Sequence, residues 1–287
     1  LSGLGLTGRG LNGLGASGGI VGSLDRLGPV WLIGCGNMGG AMLRRWIAAG
    51  MAPESVTVVT RGAASLPAGV RHLHAMPSGE RPETLILAVK PQQLGDVAPL
   101  LAEMRPAILV SILAGVDCAT LADRIPAGGV VRAMPNLPVA IGQGVTSLFT
   151  TSDDPDVRAK AAALAAPLGH YEWIDAESLF DAVTALAGSG PGFVFRFIDA
   201  MARAGEAIGI PADQAARLAL ATVAGSTAMA RDADVPPATL ADRVASKGGS
   251  TRKGLDILDH DDAFVDLLTR TLDAAWRRNI DMAAAAR

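Results

Sequence analysis

A glycine-rich hexapeptide near the start of the chain constrains the fold more than any other feature. Residues 34–39 read Gly-Cys-Gly-Asn-Met-Gly, directly after the apolar run Val30–Ile33 and before a helical pattern. In this strand–turn–helix context, Gly34 permits a tight turn, Gly36 lets the backbone approach a pyrophosphate, and Gly39 lets the helix pack on the strand. The free N–H groups at the helix N-terminus attract phosphate. The pattern favours a dinucleotide-binding turn over a glycine turn without a ligand.

Strands and helices alternate on the C-terminal side of this turn. Short runs rich in Val, Ile and Leu predict buried strands at Val30–Ile33, Val56–Val59, Thr84–Val89, Ile108–Leu113 and Val130–Ala133, with two more at Gly144–Thr151 and His170–Ile174. Helical segments lie between them at Met38–Ala49, Gln92–Met104, Cys118–Arg124 and Asp156–Ala166. The alternation predicts an α/β fold with a doubly wound (Rossmann-type), mostly parallel sheet.

Strand patterns stop after Asp175, and apolar residues then recur at helical spacing, with Pro211 placed to open one helix. Residues 29–175 are therefore predicted to form a dinucleotide-binding Rossmann domain, and 176–287 an all-α domain. Its alanine-rich helices bury little area each, which favours a bundle completed by a partner chain. Residues 1–28 hold ten of the 34 glycines and lack an apolar core of the signal-peptide type. We expect a flexible arm there.

Composition excludes several classes of protein. A net charge of −3 without a basic run argues against nucleic-acid binding. Two cysteines cannot build a disulfide framework, which favours a reducing compartment and a cytoplasmic location. The longest charge-free stretch, 133–152, contains two prolines, an asparagine and a glutamine, so no membrane span is expected. Since His and Cys are not clustered with carboxylates, no metal site is predicted.

The residues after the second predicted strand bear on cofactor choice. An acidic residue there would hold the ribose 2′-hydroxyl of NAD, but the sequence has Thr60 and Arg61. A guanidinium suits a 2′-phosphate, so NADPH is predicted over NADH. The alternative is a solvated arginine on a loop.

Six segments in order along the chain carry a shared set of motifs: Gly34–Gly39, Ala88–Pro91, Ser111–Gly115, Arg132–Asn136, Gly188–Pro191 and Ser246–Thr251. Together they resemble the pyrroline-5-carboxylate reductase family. They cover the chain from about Pro29 to Ala275, and the last resembles the signature loop of the family, usually Ser-Pro-Gly-Gly-Thr/Ala-Thr. Here Lys247 replaces the proline, Ser250 stands where Thr or Ala is usual, and Leu137 replaces a common threonine.

The resemblance implies a reductase that transfers a hydride from NADPH, with NADH weaker, to the C=N carbon of 1-pyrroline-5-carboxylate, giving L-proline. It also implies a C-terminal dimerisation domain and a homodimer or a higher oligomer of dimers. The implied catalytic residues are Thr251 and Ser246, with the Thr251 hydroxyl bonded to the ring nitrogen, and the substrate carboxylate is implied to bind at Gly248, Gly249, Ser250 and Thr251. The implied cofactor contacts are Gly34, Gly36, Asn37, Met38, Gly39, Thr60, Arg61, Ala88, Val89, Lys90, Pro91, Ala114, Gly115 and Asn136.

Other interpretations remain open from the sequence. Ser246 and Thr251 would be simple helix caps if the loop binds no ligand. Cys35, inside the glycine turn, is interpreted as a small tolerated residue rather than a redox thiol. The four histidines lie outside the shared segments and are interpreted as structural or surface residues. The competing functions are another NADPH-dependent imine or 2-hydroxyacid reductase, and a non-catalytic nucleotide sensor.

Overall fold

The computed structural model of the chain describes residues 24–62 and 65–286. Most of the predicted arm lies outside the described residues. Its last part, Leu24–Leu27, forms a short 3-10 helix, and the side chain of Leu27 is fully buried in the core. The Thr84 hydroxyl donates a hydrogen bond to the Leu27 carbonyl over 2.7 Å. The folded chain therefore begins before residue 29, where the prediction placed its start.

Eight strands form one sheet in the order β3-β2-β1-β4-β5-β6-β7-β8. All neighbouring strands are parallel except β6 and β7, which are antiparallel. The predicted α/β class with a mostly parallel sheet is confirmed. The strands are β1 Val30–Ile33, β2 Val56–Val59, β3 Arg71–Leu73, β4 Thr84–Leu87, β5 Ile108–Ser111, β6 Gly129–Pro135, β7 Gly144–Thr150 and β8 Gly169–Trp173.

Alternate residues of the central strands face opposite sides of the sheet, so each side has its own core. Leu32 and Ile86 belong to the core that Trp46 fills on one side, and the Trp46 indole donates to the Leu164 carbonyl over 2.7 Å. Trp31 and Leu85 belong to the core on the other side. Burial on both faces explains why these strands read as continuous apolar runs.

Ten α-helices are present among the described residues. The first five are α1 Asn37–Ala48, α2 Leu94–Leu101, α3 Cys118–Arg124, α4 Pro155–Ala165 and α5 Phe180–Val183. The last five are α6 Gly190–Ala207, α7 Ala212–Asp232, α8 Pro237–Val244, α9 Ser250–Leu258 and α10 Ala263–Ala286. None of the described helices is long and apolar enough to cross a membrane.

The described residues divide into two compact units. The sheet unit extends to Pro191 and resumes at Leu272, and the helical unit is Gly192–Thr271. The predicted division at 176 thus differs from the packing, because α5 and the start of α6 belong with the sheet unit. The helical unit buries few of its own apolar side chains, and only Ala215 and Ala219 are fully buried.

Candidate active site

The glycine turn has the geometry that the hexapeptide predicts. Gly34 lies at φ +88°, and a Cβ there would come within 2.7 Å of the Ala88 carbonyl oxygen. Gly36 faces open space and is the N-cap of α1, where no side chain caps the helix. A Cβ on Gly39 would lie 3.1 Å from the Gly34 carbonyl oxygen, so α1 packs closely on β1. The first N–H groups of α1 are left free for an anion.

This turn borders a cavity of about 790 Å³ at the carboxyl ends of β1, β2 and β4. The volume lies in the range of small-molecule sites, and the position is where doubly wound sheets bind ligands. The structure brings together here half of the predicted cofactor residues: Gly34, Gly36, Thr60, Arg61, Ala88, Val89 and Lys90. Their convergence at one edge of the sheet fits a dinucleotide, with the pyrophosphate at the glycine turn and the Arg61 guanidinium at the end of β2.

Several lining residues were not predicted from the sequence. His74, Ala75 and Met76 reach the cavity from the end of β3, while Gln93 and Asp96 line it from the start of α2. The three-residue strand β3 was missed because it is short and begins Arg-His, which masks the apolar pattern. The pairing of β3 with β2 places His74 at this edge of the sheet, and a prediction of β3 would have been needed to find it.

The remaining predicted cofactor residues do not line this cavity. They are Asn37, Met38, Gly39, Pro91, Ala114, Gly115 and Asn136. Asn136 is 6% exposed, and its side-chain amide donates to the Ala187 carbonyl over 2.9 Å and accepts from the Val145 N–H over 2.8 Å. These bonds give the amide a structural role, holding the end of β6 to the segment before α6.

Gly115 is also restricted by packing. It lies at φ +74°, and a Cβ would meet the backbone of Ala283 at 2.8 Å. The glycine thus allows the C-terminal part of α10 to approach the loop after β5. A cofactor contact for Gly115 stays a prediction.

The predicted substrate loop lies in the helical unit and is exposed. Gly248 has φ +75°, and the Gly249 N–H donates to the Ser246 carbonyl over 2.9 Å. Gly249 is the N-cap of α9, and no side chain caps this helix. The alternative that Ser246 or Thr251 is a simple helix cap is therefore wrong. The amides of Ser250, Thr251 and Arg252 are free, because the first bond to the N-cap carbonyl comes from the Lys253 N–H. The predicted Gly249 amide is already bonded.

Arg252 braces this loop on its helix. The guanidinium contacts three carboxylates, at 2.7 Å to Asp259, 2.9 Å to Asp256 and 3.5 Å to Asp242. Hydrogen bonds to Asp259 and Asp256 raise the pKa of Arg252 above its usual range. The network ties the end of α8 to α9 on either side of the loop.

Neither thiol has the electrostatics of a nucleophile. Burial raises the pKa of Cys35, against a smaller lowering by Arg44. Burial and the nearby Glu177 carboxylate raise the pKa of Cys118 to about 12. Both thiols are free. A raised pKa disfavours the reactive thiolate, in agreement with the structural interpretation of Cys35.

Among the described residues, His, Cys, Asp and Glu form no group of three or more that could hold a metal ion. The cavity is lined by backbone of the glycine turn, by the basic side chains of Arg61, Lys90 and His74, and by apolar side chains. Such a site binds and orients a large anionic cofactor whose own atoms carry the chemistry.

Comparison with known proteins agrees with this arrangement. Residues 177–282 match the family described as pyrroline-5-carboxylate reductase dimerisation, and 29–115 match NADP oxidoreductase coenzyme F420-dependent. The chain is 37% identical to a pyrroline-5-carboxylate reductase from Synechocystis over 70% of this chain and 75% of the relative. It is 36% identical to one from Thermus thermophilus over 79% and 88%. A solved pyrroline-5-carboxylate reductase from Coxiella burnetii superposes with a TM-score of 0.81 at 27% identity, over 89% of this chain and 98% of the other.

Proposed function

Because the chain belongs to the pyrroline-5-carboxylate reductase family, we propose how its residues reduce 1-pyrroline-5-carboxylate to L-proline with NADPH. The observation that carries the proposal is the cavity of about 790 Å³ at the Gly34–Gly39 turn, where an arginine stands in place of the acidic residue of NAD sites. When bound, NADPH supplies the hydride that reduces the C=N carbon of the imine.

The sheet unit holds the cofactor. The free amides at the start of α1 bind the pyrophosphate, and Gly36 leaves open space for its approach. Arg61 pairs with the 2′-phosphate, and Lys90 orients the cofactor from the end of β4. The two cations match the negative charge of the ligand, which favours NADPH over NADH.

The helical unit holds the substrate. The free amides of Ser250 and Thr251 bind the carboxylate at the N-terminus of α9, where the helix dipole adds favourable charge. The Thr251 hydroxyl donates a hydrogen bond to the lone pair of the unprotonated ring nitrogen. It passes its proton to that nitrogen as the hydride reaches the C=N carbon, and it regains a proton from water. Ser246 shapes the loop, since a Cβ on Gly249 would meet the Ser246 Oγ at 2.5 Å.

The protein assembles with copies of itself through the helical unit. Large apolar side chains there remain exposed in the single chain, as expected of an interface that a partner covers. The match to a dimerisation family covers the same helices. The most exposed of these side chains are Ile208, Ile257, Met229, Val244 and Val265. We infer a cytoplasmic location because both cysteines are free thiols, as expected in a reducing compartment.

Thr251→Ala tests the substrate loop. The variant is expected to lower kcat for 1-pyrroline-5-carboxylate by about 10²-fold, the usual contribution of a positioned proton donor. Because less of the imine carries its own proton at high pH, the defect is expected to grow as pH rises, and Thr251→Ser is expected to restore activity.

The matched control is Thr227→Ala, because the exposed Thr227 hydroxyl donates to the Val223 carbonyl of its own helix over 2.8 Å. If Thr251→Ala and Thr227→Ala show the same rates at every pH, the role assigned to the Thr251 hydroxyl is wrong.

A further inference from the structure

His74 lies at the same edge of the sheet as the predicted phosphate-binding arginine. Strands β2 and β3 pair in parallel with Val59 opposite Leu73, and the Thr60 N–H continues the ladder by donating to the Leu73 carbonyl over 3.0 Å. One residue further along the same parallel register, His74 lies beside Thr60, and neighbouring strands are about 4.8 Å apart. Thr60, Arg61 and His74 all line the cavity of the cofactor site.

A second imidazole packs against the His74 ring. His72 and His74 lie two residues apart, and their ring centroids are 4.6 Å apart with a tilt of 59°. The Nε2 atom of His72 is buried and makes no hydrogen bond. His74 is exposed and lines the cavity, whereas His72, on which its ring packs, is partly buried.

The charges around the cavity favour an anion at this end. Arg61, Lys90 and His74 are the basic residues among the described lining, and Asp96 is the acidic one. Lys90 comes from the end of β4, on the far side of β1 from β2. The pair of basic side chains on the adjacent strand ends is therefore Arg61 and His74.

We propose that His74 is a specificity-determining residue that binds the 2′-phosphate of NADPH together with Arg61. An imidazole donates an N–H to a phosphate oxygen in either protonation state, and it adds a positive charge when protonated. The ribose of NADH carries a hydroxyl at this point and gains no such contact. The inference rests on the proposed function, since it assigns one part of the same cofactor site.

The test is calorimetric titration of the full chain with NADP⁺ and NAD⁺, and with 2′,5′-ADP and 5′-AMP. Each pair differs by the 2′-phosphate alone, and no step depends on turnover. His74→Ala is expected to weaken NADP⁺ and 2′,5′-ADP by about tenfold, the loss of one charge-assisted hydrogen bond. NAD⁺ and 5′-AMP are expected to change by less than about twofold.

Two further variants separate charge from shape. His74→Lys restores a cation and is expected to keep the preference for NADP⁺, whereas His74→Asp is expected to lose more of it than His74→Ala. The matched control is His170→Gln, which removes an imidazole that contacts Glu172 on β8, outside the cavity lining. This control is expected to bind all four ligands as the unmodified chain does.

The outcomes distinguish the two proposals. Equal weakening of NADP⁺ and NAD⁺ by His74→Ala, or no change in either, would overturn the role of His74 while leaving the cofactor site in place. Equal affinity of the unmodified chain for NADP⁺ and NAD⁺ would overturn 2′-phosphate recognition by both His74 and Arg61. Failure of the unmodified chain to bind either dinucleotide would overturn the proposed function itself.

Discussion

Replacing Glu177 with alanine removes the partner of a guanidinium that the fold holds almost entirely out of water. Arg132 lies on β6 with 6% of its side chain exposed, and its Nη1 donates to the Glu177 carboxylate over 2.8 Å. The same Glu177 oxygen accepts from the Cys118 N–H, also over 2.8 Å. The guanidinium stacks 4.2 Å from the centre of the Phe180 ring, and its Nε atom is buried without a partner.

The loss of folding free energy in Glu177→Ala follows from the buried Arg132 charge that the substitution leaves without its carboxylate partner. Removing one partner of a buried ion pair costs about 3–5 kcal/mol, because the remaining charge stays desolvated. Glu177 is 26% exposed, so water can enter and the lower end applies, about 3 kcal/mol. That corresponds to a fall in Tm of about 6–12 °C. Glu177→Gln keeps an acceptor oxygen and is expected to lie between alanine and the unmodified protein.

The assay is urea and thermal unfolding at one fixed protein concentration, because an oligomer makes Tm depend on concentration. The matched control is Glu172→Ala, which removes a carboxylate that is 63% exposed and pairs with His170. This exposed pair is worth less than about 1 kcal/mol. If Glu177→Ala and Glu172→Ala destabilise the protein equally, the argument from burial is refuted.

Three further predictions concern other parts of the fold. Gly34→Ala is expected to lower the free energy of unfolding in urea by about 2 kcal/mol more than Gly50→Ala, and to weaken NADP⁺ binding. Both glycines have positive φ, but only Gly34 faces a backbone carbonyl. Equal effects of the two substitutions would contradict this. Because the pKa of the Cys118 thiol is raised to about 12, the native state keeps a proton that the unfolded state loses, so stability should fall as pH rises from 9 towards 12. Cys118→Ala should flatten that dependence, and an unchanged slope would refute the assignment. Phe195→Asp, at an exposed position of the helical unit, is expected to dissociate the oligomer in sedimentation velocity. Ile141→Asp, at an exposed apolar position of the sheet unit, should leave the oligomer intact. An intact Phe195→Asp oligomer would argue against an interface formed by the helical unit.

The elements that the sequence predicts best are those whose pattern is set by burial on both sides. Strands β1 and β2 and helix α3 have the predicted bounds. Strand β6 extends beyond its predicted end at Ala133 to Pro135, because the antiparallel partner β7 pairs with Met134 and Pro135. Strand β7 was itself predicted, but the periodicity of each strand does not show which residues pair between the two.

In the candidate site, as in the fold, local features were predicted, whereas contacts between separate elements were not. The glycine turn was predicted, because the glycines that set its geometry are close together in the sequence. Asn136 shows the limit: its motif suggests a cofactor contact, which stays a prediction, whereas the structure shows its amide bonded to Val145 and Ala187. His74 lines the cavity although no motif marks it, because the pairing of β3 with β2 brings it there.

The most direct measurement is NADPH oxidation followed at 340 nm with 1-pyrroline-5-carboxylate, with L-proline quantified in the same reaction. The account predicts that one proline forms for each NADPH consumed, and that NADH supports slower turnover. NADPH binding without proline formation would contradict the account and would favour a nucleotide-sensing protein or a reductase of another imine.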